Sequence, residues 1–586
     1  MWQFVKYVFA TIIGLLLFTI ISFLLLIGIG AALGSSDDKT KIEANTVLKL
    51  NLDVPIQEVS IENPFAEFSG GQGNVLGLMD IKKAIANAKA DPNIKGIYLD
   101  NQYPMAGWAT LEEIRSSLLD FKKSKKFIYS YGEVLTEKAY YLSSVSDKIF
   151  LNPAGGMEWN GISAEYDFYK GTLDKLNIKP LIFKVGDFKS AVEPYFRENM
   201  SDASKLQSKV LIDGIFDHAL TNIAASRGLN VQTLKNLADS LGIDSPQDAL
   251  KNKLITHVGY YDEFETALKN ELKLKNDDKI KFISLGKYEK AESQVKEGSS
   301  ENRIAVIIGE GGIVSGNGSD ESIGSDRICA ELRKARKDKK VKAVILRINS
   351  PGGSALASDI MWREVQLTKK EKPVIASMSD VAASGGYYMA MGCTKIVAQP
   401  NTITGSIGVF SVLFNVENFM KDRLGVTFDR VTTNAHSDWP SGTREMTDFE
   451  KNRLQKSTEN IYSIFTQKAA DGRKMPVEKL RAIASGRVWS GTDAKANGLV
   501  DELGGFDKAV EVAASSAKLK TGDYRLKYYT EKKNVFDQIM SKFNKDTEER
   551  IMLSQLGEFA PYLKTLKKLQ KLDGVQARMP FDIVMK

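Results

Sequence analysis

The sequence predicts an α/β protein made of two copies of one strand–helix unit, carried behind a single apolar segment at the N-terminus. Three observations predict it. Short apolar runs alternate with stretches at helical spacing, the pattern of βαβ units. The second half repeats the first at a fixed offset. Tyr7 to Leu33 carries no charge and is dominated by Leu, Ile, Phe and Val, long enough to cross a bilayer with some tilt.

The apolar segment comes first. A cleaved signal peptide has a shorter apolar core, so residues 1–34 read as a retained transmembrane signal-anchor; Ala31–Gly34 is where a cut would fall. Lys6 and the terminal amine face Lys39 and Lys41 across the span, so orientation is weakly specified. The 586 residues exceed one ordinary core, and 43% apolar with 26% charged residues is a globular composition. A net charge of +7, spread rather than clustered, gives no footprint for nucleic acid. Two cysteines, Cys329 and Cys393, exclude a disulfide framework. The three histidines, His218, His257 and His436, form no metal-ligand spacing with them, so no metal site is expected.

Beyond a linker, Val47–Leu52 alternates as a strand does. Ile94–Leu99 reads as a buried strand, Leu111–Phe121 as a helix, and Phe127–Ser130 as the next strand. The same order returns as Ile304–Ile308, Val344–Ile348, a helix over Ser358–Leu367 and a strand opening at Val374. Shifted by 247, Ile94–Leu99 lies on Val341–Leu346, Tyr140-Tyr141 on Tyr387-Tyr388, Pro153 on Pro400 and Gly161 on Gly408. At an offset of 245, Asp248–Leu254 lies on Asp493–Leu499. A helical period cannot produce such agreement. The expected units are therefore an N-terminal repeat over 42–290, a C-terminal repeat over 300–520, and a basic, partly amphipathic tail over 521–586 in which Phe559–Leu572 has helical spacing.

The copies differ at two turns. The second has Asn349-Ser-Pro-Gly-Gly-Ser354 after its strand, where the first has Asn101-Gln-Tyr before Pro104. Ser384 of the second, in Ala-Ala-Ser-Gly-Gly-Tyr-Tyr, falls on Glu137 of the first. Ser384 stands where a strand gives way to a helix-competent run, which exposes a hydroxyl near a helix N-terminus. Gly385 and Gly386 leave room for a substrate backbone. A serine nucleophile needs a base. His436, in the polar loop Asn434–Pro440, is one candidate. A lysine with its pKa lowered by burial is the other. Lys189 follows the apolar run Leu181–Phe183, in the first-half segment that matches the His436 loop. At this point both remain open.

Four motifs together carry a resemblance: Asn349–Ser354, Ala382–Tyr388, Thr402–Val409 and Lys189–Pro194. In these the chain resembles the S49 serine peptidases, the family of signal peptide peptidase A, and within it the long, duplicated form called protease IV. The resemblance runs from the anchor to about residue 520. It implies Ser384 as nucleophile and Lys189 as general base, supplied by the first repeat to the serine of the second. The short forms carry their lysine in the loop matching Asn434–Pro440, which here holds none. Ser406 matches a serine that orients the lysine. Backbone N–H groups at Gly352, Gly353 and Gly385 are the expected oxyanion hole.

The implied fold is a crotonase-like, Clp-protease-like spiral of βαβ units. The implied assembly is a homotetramer around a bowl-shaped cavity. Implied substrates are signal-peptide remnants and other short or unfolded polypeptides, met at the bacterial inner membrane by a single-pass protein whose body faces the periplasm. Two competing classes make different demands. A crotonase-type acyl-CoA enzyme needs a carboxylate beside the glycine turn, and a tethered scaffold tolerates loss of Ser384.

Overall fold

The duplication is visible strand by strand in the computed structural model, which describes residues 2–34, 42–60, 75–291, 300–319, 321–529, 575–579 and 584–585. In the first half, Thr46–Leu50, Ile94–Leu99, Phe127–Leu135 and Lys148–Met157 pair in parallel, with Lys281–Ser284 and His257–Val258 at the two edges. In the second half, Arg303–Glu310, Val341–Ser350, Val374–Ala383 and Lys395–Ala398 pair the same way, edged by Arg525–Tyr528 and Glu502–Leu503. Parallel neighbours need crossover connections, and helices such as Trp108–Lys122 and Ala355–Lys369 supply them.

The repeat extends to single bonds. A register shift between Thr46 and Val47 returns between Arg303 and Ile304. The Tyr140 hydroxyl donates to the Leu254 carbonyl at 2.7 Å, and that of Tyr387 donates to Leu499 at 2.9 Å. Tyr141 donates to Glu112 at 2.8 Å where Tyr388 donates to Asp359 at 2.7 Å. These buried hydroxyls each need a partner, and both halves provide it from the same place.

Elements extend past the stretches that periodicity marks. The strand before Ser384 runs over Val374–Ala383 and the helix expected over Leu111–Phe121 spans Trp108–Lys122. Arg525–Tyr528, read in sequence as tail, is an edge strand of the second sheet. The helical run Phe559–Leu572 and the flanking charges Lys39 and Lys41 lie outside the described residues. At the N-terminus, Trp2–Gly34 is one helix of 33 residues, long and apolar enough to cross a membrane.

The halves share a core rather than touching lightly. One apolar cluster takes Leu48, Ile97 and Leu118 from the first and Ile304, Ile345 and Phe506 from the second. Within it Arg347 is fully buried between Glu58 and Glu113 at 2.9 and 2.8 Å, and Lys82 joins Glu113 at 2.8 Å. Burial pushes the Glu113 carboxyl up, but Arg347 and Lys82 outweigh it and hold the group at about 2.

A third sheet crosses between the repeats. Its order is Ser322–Gly324, Gly312–Val314, Gly352–Ser354, Val575–Arg578, Val409–Asn415 and Lys179–Val185. The last two strands pair antiparallel with Val185 opposite Val409, so a first-half strand ends beside a second-half turn. That register positions the site.

Candidate active site

Ser384 sits between the strand Val374–Ala383 and the short helix Gly385–Ala390 at φ 54°, ψ −111°. Its N–H donates to the Gly405 carbonyl at 2.8 Å, and its carbonyl accepts from Tyr388 at 2.8 Å. A non-glycine residue held at positive φ costs about 1–3 kcal/mol and persists only where its surroundings over-determine it. Here both flanking elements do. Ser406 is also held at positive φ, 49°, just after Ile403–Gly405, the strand that pairs with Val381–Ala383. Both serines are completely buried.

Lys189 reaches them from the first half. Four residues after Val185, it opens the turn Ser190–Val192. The Gln207 amide donates to the Phe188 carbonyl at 3.1 Å and to Ser190 Oγ at 2.9 Å, while its oxygen accepts from the Val488 N–H at 3.3 Å. One side chain thus pins the lysine turn to the second half. Gly486, at φ 81°, makes the space, since a Cβ there falls 2.6 Å from the Lys189 Cβ.

The Lys189 Nζ lies 2.9 Å from Ser384 Oγ, 3.0 Å from Ser406 Oγ and 3.1 Å from the Ser406 carbonyl oxygen. The lysine is fully buried, and burial alone drives its pKa well below the ordinary value of 10.5. Among the described residues no carboxylate contributes to hold the charge. An unpaired ammonium is the costly form in such a place, so burial drives the amine toward neutrality. A Ser384 Oγ to Gly408 carbonyl distance of 3.5 Å completes the surroundings of the hydroxyl.

His436 is not in this site. Its Nδ1 lies 2.9 Å from Glu450, its ring stacks on Phe449 at 5.2 Å, and its side chain is 46% exposed. The loop Asn434–Pro440 thus turns His436 outward against Glu450, and between the two candidate bases the geometry favours the lysine.

Of the three glycines expected to hold an oxyanion, two come together. A Cβ on Gly352, at φ 99°, falls 2.7 Å from the Gly385 nitrogen. The Gly352 N–H donates to Ser350 Oγ at 3.1 Å. Gly353 lies one step on, in the ladder between Ile313 and Ala577. Sequence reasoning passed over Gly486 and Gln207, and the Ser485-Gly486 pair was the one signal that could have pointed there.

The sequence model of Peptidase family S49 matches residues 120–275 and 366–520, more than half of the chain and one stretch in each repeat. The chain belongs to this family. As an S49 member it is a serine peptidase, and its two matched stretches are the duplicated form of the domain. Protease 4 of Salmonella typhi is 38% identical over 79% of this chain and 75% of that one. The chloroplastic serine protease SPPA of Arabidopsis thaliana is 35% identical over 76% of this chain and 66% of its own length. Protease 4 of Haemophilus influenzae is 32% identical over 94% of this chain and 92% of the relative.

Proposed function

We propose that this S49 peptidase is a membrane-anchored endopeptidase with a Ser384/Lys189 dyad, degrading signal-peptide remnants and other short, unfolded polypeptides through an acyl-enzyme. The observation that carries the reading is the buried amine of Lys189, 2.9 Å from Ser384 Oγ with burial as the sole cause of its lowered pKa. A neutral lysine accepts the serine proton as Oγ adds to the peptide carbonyl. The developing oxyanion is met by the Gly385 N–H beside the Gly352-Gly353 turn, a contribution typically on the order of 100- to 1000-fold in rate per donor. The lysine then protonates the leaving amine, and water releases the acyl group. Ser406 acts as a positioning residue, accepting from the amine and fixing its direction.

The helix Trp2–Gly34 supports single-pass anchoring in a bacterial inner membrane, with the body on the periplasmic side where signal-peptide remnants are left. Assembly into a homotetrameric ring is supported by the segment 426–432. In the repeat it stands for Lys179–Val185, which is paired, yet it lies in no strand and leaves Val431 fully exposed. Exposed apolar side chains on an unpaired segment, here Val426, Phe428 and Val431, are what a neighbouring copy covers in a closed ring.

The test is peptide cleavage. Detergent-solubilised wild type, Ser384→Ala and Lys189→Ala are compared on fluorogenic peptides with apolar residues before the cut, with circular dichroism to confirm folding. Wild type cleaves and both folded variants are inert. A Lys189→Ala protein that cleaves normally sinks the dyad, and a Ser384→Ala protein that does so sinks the nucleophile.

A further inference from the structure

The turn Asn349–Ser354 is gripped by a carboxyl group that the catalytic steps do not use. Glu310 ends the strand Arg303–Glu310. Its Oε1 accepts from Asn349 Nδ2 at 3.2 Å, and its Oε2 accepts from the Glu58 N–H at 3.0 Å. Asn349 Oδ1 in turn accepts from the Val381 N–H at 3.2 Å, three residues before Ser384. The next residues close the same corner. The Gly311 N–H donates to the Asn349 carbonyl at 2.9 Å, and the Ser350 hydroxyl donates to the Gly311 carbonyl at 2.7 Å while accepting from the Gly352 N–H. Ser350 also lies opposite Ala382 in the sheet. One chain of bonds therefore runs from Glu310 through Asn349 to both sides of the oxyanion position, the Gly352-Gly353 turn and the strand that delivers Ser384.

The first copy has an acid in the same place and uses it otherwise. Leu50 lies opposite Leu99 as Ile307 lies opposite Leu346, which makes Asp53 the counterpart of Glu310. The Asp53 carboxylate accepts from the backbone N–H groups of Gln102 and Tyr103 at 2.8 and 2.7 Å, so it caps its turn directly. The longer Glu310 reaches the Asn349 side chain instead, and the Gly352 N–H goes to Ser350. Burial pushes both carboxyls up. Glu58 and Asp380 raise Glu310 further, while the nearby Arg347 is committed to Glu58 and Glu113. A carboxyl kept beside two like charges costs stability, and such groups gather at functional sites.

We propose that Glu310 is a positioning residue for peptide cleavage, acting through Asn349 to fix the oxyanion turn against Ser384; the proposal rests on the Ser384/Lys189 reading. An oxyanion is stabilised by donors already in place when the charge develops. Play at Asn349 therefore lowers kcat and leaves KM alone, because the loss falls on the transition state.

The link can be reversed in polarity at almost constant size. In Glu310→Gln a single amide oxygen faces two donors, the Asn349 amide and the Glu58 N–H. In Asn349→Asp two carboxyl groups meet, and at alkaline pH they repel. In the double variant the new amide donates to the new carboxylate, whose other oxygen still accepts from Val381, and the amide oxygen accepts from Glu58. Steady-state peptide cleavage by the detergent-solubilised full chain reads the outcome, with Ser384→Ala as control and circular dichroism confirming the fold at each pH. At alkaline pH each single variant is expected to lose about 10- to 100-fold in kcat against wild type, with KM unchanged. Asn349→Asp should recover as pH falls and one proton bridges the two carboxyls, and the double variant should return to within a few-fold of wild type at every pH. Single variants with wild-type kcat, losses confined to KM, an Asn349→Asp loss equal at every pH, or a double variant no better than the singles each overturn the positioning role and leave the dyad standing. Cleavage by Ser384→Ala overturns the dyad beneath it. Should one single variant misfold, the other single and the double variant decide by the same criteria.

Discussion

Where the second half carries Ser384, the first half carries Glu137, and the two side chains use equivalent surroundings in opposite ways. The Glu137 carboxylate accepts from the N–H groups of Asn160 and Gly161 at 2.9 and 2.7 Å, so it closes its turn with permanent hydrogen bonds. Gly161 is the repeat counterpart of Gly408, whose carbonyl faces Ser384. The first half thus fills with a carboxylate the position the second half gives to a hydroxyl. The lysine segments differ in the same complementary way. Lys189 of the first half crosses to Ser384, while the matching second-half loop turns His436 out to Glu450. Neither half holds both groups, and the sheet that pairs Lys179–Val185 with Val409–Asn415 is what joins them.

The sharpest way to break this comparison is to remove either contribution. Ser384→Ala and Lys189→Met should each lower kcat on the order of 10⁴- to 10⁶-fold in a folded protein, read by steady-state peptide cleavage. Lys189→Met should also gain relative stability as pH falls. The folded state lowers the lysine pKa, so the unfolded chain binds more protons below the ordinary value and wild type loses stability there. Urea unfolding at several pH values checks the sign.

Gly352→Ala comes next, with kcat expected to fall roughly 100- to 1000-fold. Its φ of 99° and the 2.0 Å approach of a carbonyl leave no room for a methyl. Ser406→Ala should cost about 10- to 100-fold in kcat, as misplacing a base does. KM should stay unchanged and the pH midpoint of kcat should shift, outcomes a purely structural serine does not produce.

The smallest effect lies in the first half. Glu137→Ala leaves two backbone donors without their acceptor and should cost about 1–3 kcal/mol in urea unfolding, with activity per folded molecule unchanged. Burial raises the Glu137 pKa, so the folded state holds its proton longer than the unfolded chain. Stability contributed by this group therefore falls as pH rises past about 4.5, and Glu137→Gln should remove that slope while keeping an acceptor.

The duplication was legible in sequence because the residues that make it are identical side chains with identical bonds, Tyr140 and Tyr387 above all. Ser384 was legible because its turn needs small neighbours on both sides. Lys189 was not legible from spacing. Its position depends on pairing two strands far apart in the chain, a long-range contact that leaves no local pattern, and only the resemblance singled it out. Gln207, on the helix Asp202–Arg227, had no motif at all. The tail strand was missed for a similar reason. Val575–Arg578 is four residues of mixed polarity without an alternation to mark it, and its partners are edges supplied by distant turns.

The central claim is that a neutral lysine from one repeat activates the serine of the other. The most direct measurement is the rate at which a fluorophosphonate labels Ser384 as a function of pH, in wild type and Lys189→Met. Labelling of wild type should rise to a plateau with a midpoint well below the ordinary lysine value of about 10.4, and labelling of the variant should be slow and flat. A variant that labels like wild type, or a wild-type midpoint at the ordinary lysine value, would contradict the account.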